Sequence, residues 1–171
     1  MQVDMQKQEP TKEEMLAQYV GMPGQLDAAL AGLSESDLNL SRTRDAWTIR
    51  QIVHHVVDAD DMTKTIIKAA LGNSGCHFEL DWYDPNNAWA ETMNYATRNL
   101  ATAITLLRAN HSHMEQLLCQ LPDAWERYVM LKRQQGSEER KLAAAQLLHS
   151  QTAHALHHIE QIRATRQIHG V

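Results

Sequence analysis

The sequence predicts an all-α protein, a four-helix bundle of a single domain with long crossover connections. Its 171 residues are 43% hydrophobic, which is the size of one domain and enough to bury one core. It contains only seven glycines and four prolines, a composition that favours long helices over many short strands. Apolar side chains recur at helical spacing over long segments. We therefore expect negligible strand content.

The N-terminal third is expected to hold a tail and a first helical region. Residues 1–10 read as a flexible tail, and residues 11–171 as the folded domain. Helical material covers residues 12–33, with an interruption at GMPG, residues 21–24, because Pro23 can start a new helix there.

A second helix should run from Asp45 to Leu71, with Asp45 as its N-cap and Gly72 just beyond its end. The segment 72–89, GNSGCHFELDWYDPNNAW, reads as an aromatic-rich loop because of its glycine, proline and asparagine content.

A third helix is expected over Trp89–Leu121, ended by Pro122 and broken or bent near Asn94. Residues 122–137 form a second irregular connection, in which RYVML is the one candidate for an extended piece. The last helix should cover Ser137–Ile168, where SEER has the pattern of a capping box.

Charge and hydropathy narrow the classes of function. The formal net charge is −5 and the basic residues are scattered, which argues against nucleic-acid binding. No stretch approaches the ~20 apolar residues of a transmembrane helix. The first fifteen residues are polar and carry acids, unlike a signal or transit peptide, so we expect a cytoplasmic protein.

The compositional anomaly is a set of ten histidines. In WTIRQIVHHVVDAD, His55 shares a helical face with Ile52 and Ala59, whereas His54 shares its face with Asp58 and Asp61. The second helix should therefore bury His55 and expose His54.

The last helix contains four histidines within HSQTAHALHHIEQI. His154 and His158 lie one turn apart at the edge of the apolar stripe, whereas His149 and His157 lie on other faces. Two imidazoles at i and i+4 can converge on one metal ion, and a third from a facing helix leaves a coordination position open. The inward-facing His55 is the natural third ligand.

A plainer interpretation remains open from the residues alone. An inward histidine is more often a hydrogen-bonded core residue than a ligand, and an HxxxH pair arises easily in a histidine-rich helix. The other histidines are expected on the surface or in loops, namely His54, His77, His111, His113, His149, His157 and His169.

Two segments, WTIRQIVHHVVDAD (47–60) and HALHHIEQI (154–162), resemble the DinB superfamily and within it the YfiT-like branch. In that family a ligand histidine lies eight residues after the tryptophan, which here leads from Trp47 to His55. LSESDL and YDPNNAWAET are similar to the turn before the second helix and to the long connection of that branch. The last helix departs from the family pattern, which often has arginine and glycine at Ile159 and Glu160.

The resemblance implies a divalent metal, zinc or nickel, on His55, His154 and His158. The YfiT-like branch includes bacillithiol transferases and metal-dependent hydrolases. The leading hypothesis is therefore a thiol S-transferase whose partners are a low-molecular-weight thiol and an electrophile. A hydrolase and a non-catalytic metal-binding stress or sensor module are the alternatives, and the resemblance leaves a homodimer open.

Supporting roles follow from position on the helices. Gln151 or Gln161 could orient an imidazole, and Asp58 could do so only if the helix faces differ slightly from those assigned. Three aromatic side chains of the long connection could line a substrate pocket or anchor the loop on the bundle, namely Tyr83, Trp82 and Trp89.

Overall fold

The computed structural model describes residues 10–134 and 136–171, so the predicted tail lies outside the described residues except for Pro10. The described chain is mainly helical, as the sequence predicts. Its α-helices are α1 (Lys12–Leu30), α2 (Ile49–Gly72), α3 (Asn87–Thr92), α4 (Leu100–Gln120) and α5 (Ala144–His169). A short 3₁₀ turn, Asp37–Asn39, lies between α1 and α2.

Helix α1 is continuous through residues 21–24, so the predicted interruption at Pro23 is wrong. Proline has no N–H to donate to the carbonyl four residues earlier, which belongs to Tyr19. That carbonyl instead accepts a hydrogen bond of 2.7 Å from Nδ1 of His111 on α4. A side chain from another helix thus satisfies the backbone group that proline leaves free.

Helix α2 begins later than predicted, because its N-cap is Thr48 and not Asp45. The Thr48 hydroxyl accepts from the backbone N–H of Gln51, and the Gln51 side chain accepts from the N–H of Thr48. The predicted bend near Asn94 is confirmed as a break: Asn94 has φ 54°, and α3 and α4 are separate helices.

A small sheet contradicts the expectation of negligible strand content. Its strands are β1 (Cys76–Glu79), β2 (Tyr128–Lys132) and β3 (Arg140–Ala143), with β2 in the centre, parallel to β1 and antiparallel to β3. Strand β2 is the predicted extended piece RYVML. Strand β3 leads directly into α5, so the SEER segment precedes a strand and does not cap the last helix.

The four long helices form the bundle. Helix α5 packs against α1 and α2 on one side, and α4 packs against the same two helices on the other. One apolar cluster lies between all four helices and includes Leu26, Val56, Leu107 and Ile159. A second lies between the helices and the sheet. No helix in the described part of the chain is both long and apolar enough to cross a membrane.

Candidate metal centre

His55 lies in the second turn of α2, with its side chain in the bundle interior and only 5% of its surface exposed. Its ring packs edge-on against Trp47, with the ring centroids 4.7 Å apart. The Trp47 indole N–H donates to the Asn87 side-chain oxygen at 2.7 Å, which fixes the indole. The tryptophan before α2 therefore positions the histidine eight residues later.

The three predicted histidines come together between α2 and α5. Nε2 of His154 lies 3.1 Å from Nε2 of His55 and 3.1 Å from Nε2 of His158. The three ligand-type nitrogens all lie within 4.8 Å of one another. His55 is buried, and the two histidines of α5 are partly buried.

This arrangement fits a divalent ion better than it fits a hydrogen-bonded cluster. A ring nitrogen carries either one proton or one lone pair, so Nε2 of His154 cannot form good hydrogen bonds to both neighbours. Ligand nitrogens around a tetrahedral zinc with bonds of ~2.0–2.1 Å would lie ~3.3 Å apart, close to the two separations of 3.1 Å that His154 makes with His55 and His158. The Nδ1 atoms of His55 and His154 are buried without a hydrogen-bond partner among the described residues, which leaves both to carry the ring proton.

The local electrostatics favour neutral imidazoles. Burial, followed by the neighbouring rings of His158 and His154, lowers the pKa of His55 from 6.5 to about 3. Burial and then His154 lower the pKa of His158 to about 4. Burial and then His157 also lower the pKa of His154. Metal coordination requires the neutral form, so these shifts keep lone pairs available at neutral pH.

Gln161 orients one of the imidazoles, as predicted for Gln151 or Gln161. Nδ1 of His158 donates to the Gln161 side-chain oxygen at 3.1 Å, which leaves the lone pair on Nε2. The Gln161 amide donates to Nε2 of His157 at 2.9 Å. The exposed His157 is thus outside the three-histidine cluster but holds the glutamine that orients His158. Sequence spacing alone gives no signal for this role.

Two of the histidines expected on the surface are buried instead. His54 is 1% exposed because the segment before α4 covers it, and its Nε2 donates to the Arg98 carbonyl at 3.1 Å. His111 is 2% exposed and lies between the Tyr19 carbonyl and Asp60. His77, His113, His149, His157 and His169 are exposed, as expected.

The other residues predicted around the centre differ in whether they line the neighbouring cavity. Asp58 accepts from the hydroxyl of Tyr95 and is not bonded to an imidazole. Gln151 lines a cavity beside His55 and His154, as does Tyr83. Trp82 is 58% exposed, and Trp89 packs against Tyr83 with centroids 5.0 Å apart. Of the three aromatic candidates, Tyr83 reaches the cavity wall.

The fold and the cluster define a class of protein: a four-helix bundle with three histidines, from two facing helices, around one point. The chain belongs to the DinB superfamily, whose family model matches residues 18–162. The family match confirms the resemblance to the DinB superfamily that the two histidine-bearing segments indicate.

Similar proteins carry names that mention a metal. A "Putative metal-dependent hydrolase" of Geobacillus kaustophilus is 24% identical over 92% of this chain and 85% of its own length. The Bacillus subtilis protein of that name called YfiT is 27% identical over 66% of this chain and 61% of its own length. The solved structure of YfiT from Bacillus subtilis, described as having an unusual four-helix bundle topology, matches with a TM-score of 0.81. The match covers 96% of this chain and 92% of the YfiT chain, at 23% sequence identity.

Proposed function

We propose that His55, His154 and His158 bind one divalent ion, zinc or nickel, and that the protein uses it to transfer a low-molecular-weight thiol to an electrophile. The observation that carries the proposal is the convergence of three imidazoles, two of which, His55 and His154, line a cavity. Closed metal sites serve structure, whereas catalytic sites keep a position open to substrate. The cavity therefore favours catalysis over storage or sensing.

A divalent ion on three neutral imidazoles lowers the pKa of a coordinated thiol or water and so supplies a nucleophile at neutral pH. In the proposed reaction the sulfur forms a bond to the electrophilic carbon. The bond to the leaving group breaks, the leaving group takes its electron pair, and the thiol proton passes to solvent.

The chain's own residues bind, orient and enclose the reactants. The three histidines hold the ion, and Gln161 keeps His158 in the tautomer whose Nε2 faces the cluster. Apolar side chains of the cavity, such as Ile66 and Leu147, exclude water from the thiol. Among the described residues, no carboxylate belongs to the three-histidine group, so an ion held there would keep its full positive charge.

Hydrolysis is the second candidate, and the names of the relatives favour it. The same site would then activate water, and no thiol would be consumed. A metal-binding module without turnover is the third possibility.

Metal analysis tests the site. Protein purified without chelator or affinity tag should contain about one divalent ion per chain, measured by mass spectrometry of the metals. The variants His55→Ala and His158→Ala should each lose it. His149→Ala is the matched control because His149 is exposed on the same helix as His158. A wild-type chain that stays metal-free after reconstitution would contradict the site.

Turnover tests the reaction. Metal-loaded protein is incubated with a panel of small thiols and monochlorobimane, and the fluorescent conjugate is measured. The rate should vanish with chelator and return with zinc or nickel. Hydrolysis of ester or amide substrates without thiol would support the hydrolase instead, and one ion per chain without either activity would support the binding module.

A further inference from the structure

A cavity of about 190 Å³ adjoins the proposed metal centre, and His55 and His154 form part of its wall. The remaining wall is partly apolar, with side chains from α2, from the connection after β1 and from α5. These include Met62, Leu80 and Leu147. A substrate that reaches the histidines would occupy this space, so the polar groups in its wall bear on which substrates fit.

Two polar groups of the wall have no partner. Gln151 is 6% exposed, and its side-chain oxygen accepts from the Thr63 hydroxyl at 3.3 Å, which leaves the amide nitrogen to donate elsewhere. That nitrogen is buried without a hydrogen-bond partner among the described residues, and so is the hydroxyl of Tyr83. Burial, and then the charge of Asp58, raise the pKa of Tyr83, so its hydroxyl keeps its proton.

Both unpaired groups therefore offer hydrogen atoms to an acceptor. Buried polar groups in folded proteins are nearly always paired, because an unpaired one forfeits its bond to water. A small turn of either side chain toward the cavity would bring its donor to a ligand oxygen. The cavity wall thus carries donors for a ligand atom that accepts hydrogen bonds.

Charge favours an anionic acceptor. Arg133, an exposed residue, lies in the wall, and within the described parts of the chain no acidic side chain lines this cavity. Asp81 and Asp84 lie in an adjoining outer basin of about 300 Å³, which shares Tyr83 and Arg133 with the cavity. Neither acid forms an ion pair with Arg133 among the described residues, so the guanidinium is available to a ligand.

We infer that this cavity binds a carboxylate of the substrate through Arg133, Gln151 and Tyr83, while the reacting atom lies at the histidines. A carboxylate only accepts hydrogen bonds and has about four acceptor positions, which suits three convergent donors. The inference rests on the proposed function, and it makes the substrate of the S-transfer a carboxylate-bearing thiol.

Binding of a matched pair of thiol-free compounds tests the carboxylate site alone. N-acetylalanine and N-acetylalanine amide differ in charge at one group, and neither contains sulfur. Titration calorimetry with metal-loaded protein should show the acid binding at least about tenfold more tightly than the amide. Equal binding, or tighter binding of the amide, would overturn the inference.

Arg133→Gln should abolish the preference for the acid. Arg140→Gln is the matched control, because Arg140 is exposed in the same β-hairpin and undergoes the same loss of charge. If Arg133→Gln and Arg140→Gln bind N-acetylalanine as the wild type does, Arg133 has no role and the inference fails.

Tyr83→Phe separates recognition from packing. Removal of an unpaired hydroxyl should leave the urea midpoint of unfolding unchanged or raised, whereas binding of N-acetylalanine should weaken severalfold. A purely structural tyrosine would show unchanged binding, which contradicts its assignment here.

A second pair, N-acetylcysteine and N-acetylcysteine amide, distinguishes this inference from the proposed function. If N-acetylalanine binds as expected and neither thiol reacts, S-transfer is wrong and the carboxylate site stands. If both thiols react with the same kcat/KM, S-transfer stands and the carboxylate site is wrong.

Discussion

Two of the buried histidine sites along helix α2 differ in what faces the imidazoles. At the first, His55 meets two other imidazoles at the proposed metal centre. At the second, His111 on α4 meets a carboxylate, since its Nε2 lies 3.1 Å from Asp60 of α2 and its Nδ1 lies 2.7 Å from the Tyr19 carbonyl. In the first site the imidazole nitrogens face one another, whereas in the second site both nitrogens of His111 face oxygen atoms that accept hydrogen bonds.

The difference shows how neighbours assign roles to the same side chain. Both nitrogens of His111 face groups that only accept hydrogen bonds, the Tyr19 carbonyl and the Asp60 carboxylate. Asp60 also accepts from the Tyr19 hydroxyl at 3.4 Å. This second site joins α1, α2 and α4. Within the described residues, the three-histidine cluster includes no such acid.

The largest expected effect comes from a substitution that removes the histidine of the second site. His111→Leu leaves the buried carboxylate of Asp60 with only the longer hydrogen bonds from Tyr19 at 3.4 Å and Asn110 at 3.5 Å. It should therefore lower the free energy of unfolding by about 3–5 kcal/mol. Urea denaturation measures this loss. The double variant His111→Leu with Asp60→Leu should lose less than the sum of the single variants, and purely additive losses would argue against the pair.

The next largest effect is the stabilisation by metal binding, which we expect at the first site alone. Zinc or nickel at 100 times its dissociation constant should raise the free energy of unfolding by about 2.7 kcal/mol. His158→Ala should abolish this increment, whereas His111→Leu should retain it despite its lower stability. Thermal unfolding with and without chelator measures both, and an increment that survives in His158→Ala would show that the ion binds elsewhere.

A smaller effect concerns the glutamine that orients His158. Gln161→Leu should weaken divalent-metal binding about tenfold, because His158 then loses the acceptor that fixes its tautomer. Gln167→Leu is the matched control, an exposed glutamine on the same helix. Competition with a fluorescent chelator measures the affinity, and equal values for the two variants would remove Gln161 from the site.

Acidity tests the charge of the first site in the metal-free protein. His55 and His158 have pKa values of about 3 and 4 in the folded chain, below the 6.5 of an unperturbed histidine. Between about pH 4 and 6.5 the unfolded chain therefore binds protons that the folded chain does not. Stability of the metal-free protein should rise with pH across this window. Urea midpoints at several pH values should show a shallower rise for His55→Leu.

The sequence predicts the first site better than the second for a physical reason. His55, His154 and His158 are recognisable because each lies on an apolar helical face, and periodicity reports faces. His54 lies among polar neighbours, so periodicity assigns it to solvent. His111 shares a helical face with Leu107 and Met114, so periodicity agrees with its burial, but it gives no signal for the partners of His111, the Tyr19 carbonyl and Asp60. Whether a polar face meets water depends on what covers it, and here the covering groups come from distant segments, such as the Arg98 carbonyl.

The sheet was unpredictable for a related reason. Strands β1 and β2 pair in parallel although α3 and α4 separate them in the chain. Each strand is only four or five residues long, too short for alternation to outweigh the turn-forming residues around it. The extended segment RYVML was detectable because it is the most apolar part of its connection, whereas its partners became identifiable only in the fold.

Pro23 in helix α1 links two positions that are remote in the chain. Because Pro23 has no N–H, the Tyr19 carbonyl lacks its donor within the helix, and the ring of His111 donates to it instead. The two residues should therefore vary together over evolution. In related chains with another residue at position 23, the helix satisfies its own carbonyl, and position 111 is freed from one of its two constraints. Correlated replacement at these positions would be a signature of this contact that sequences alone could reveal.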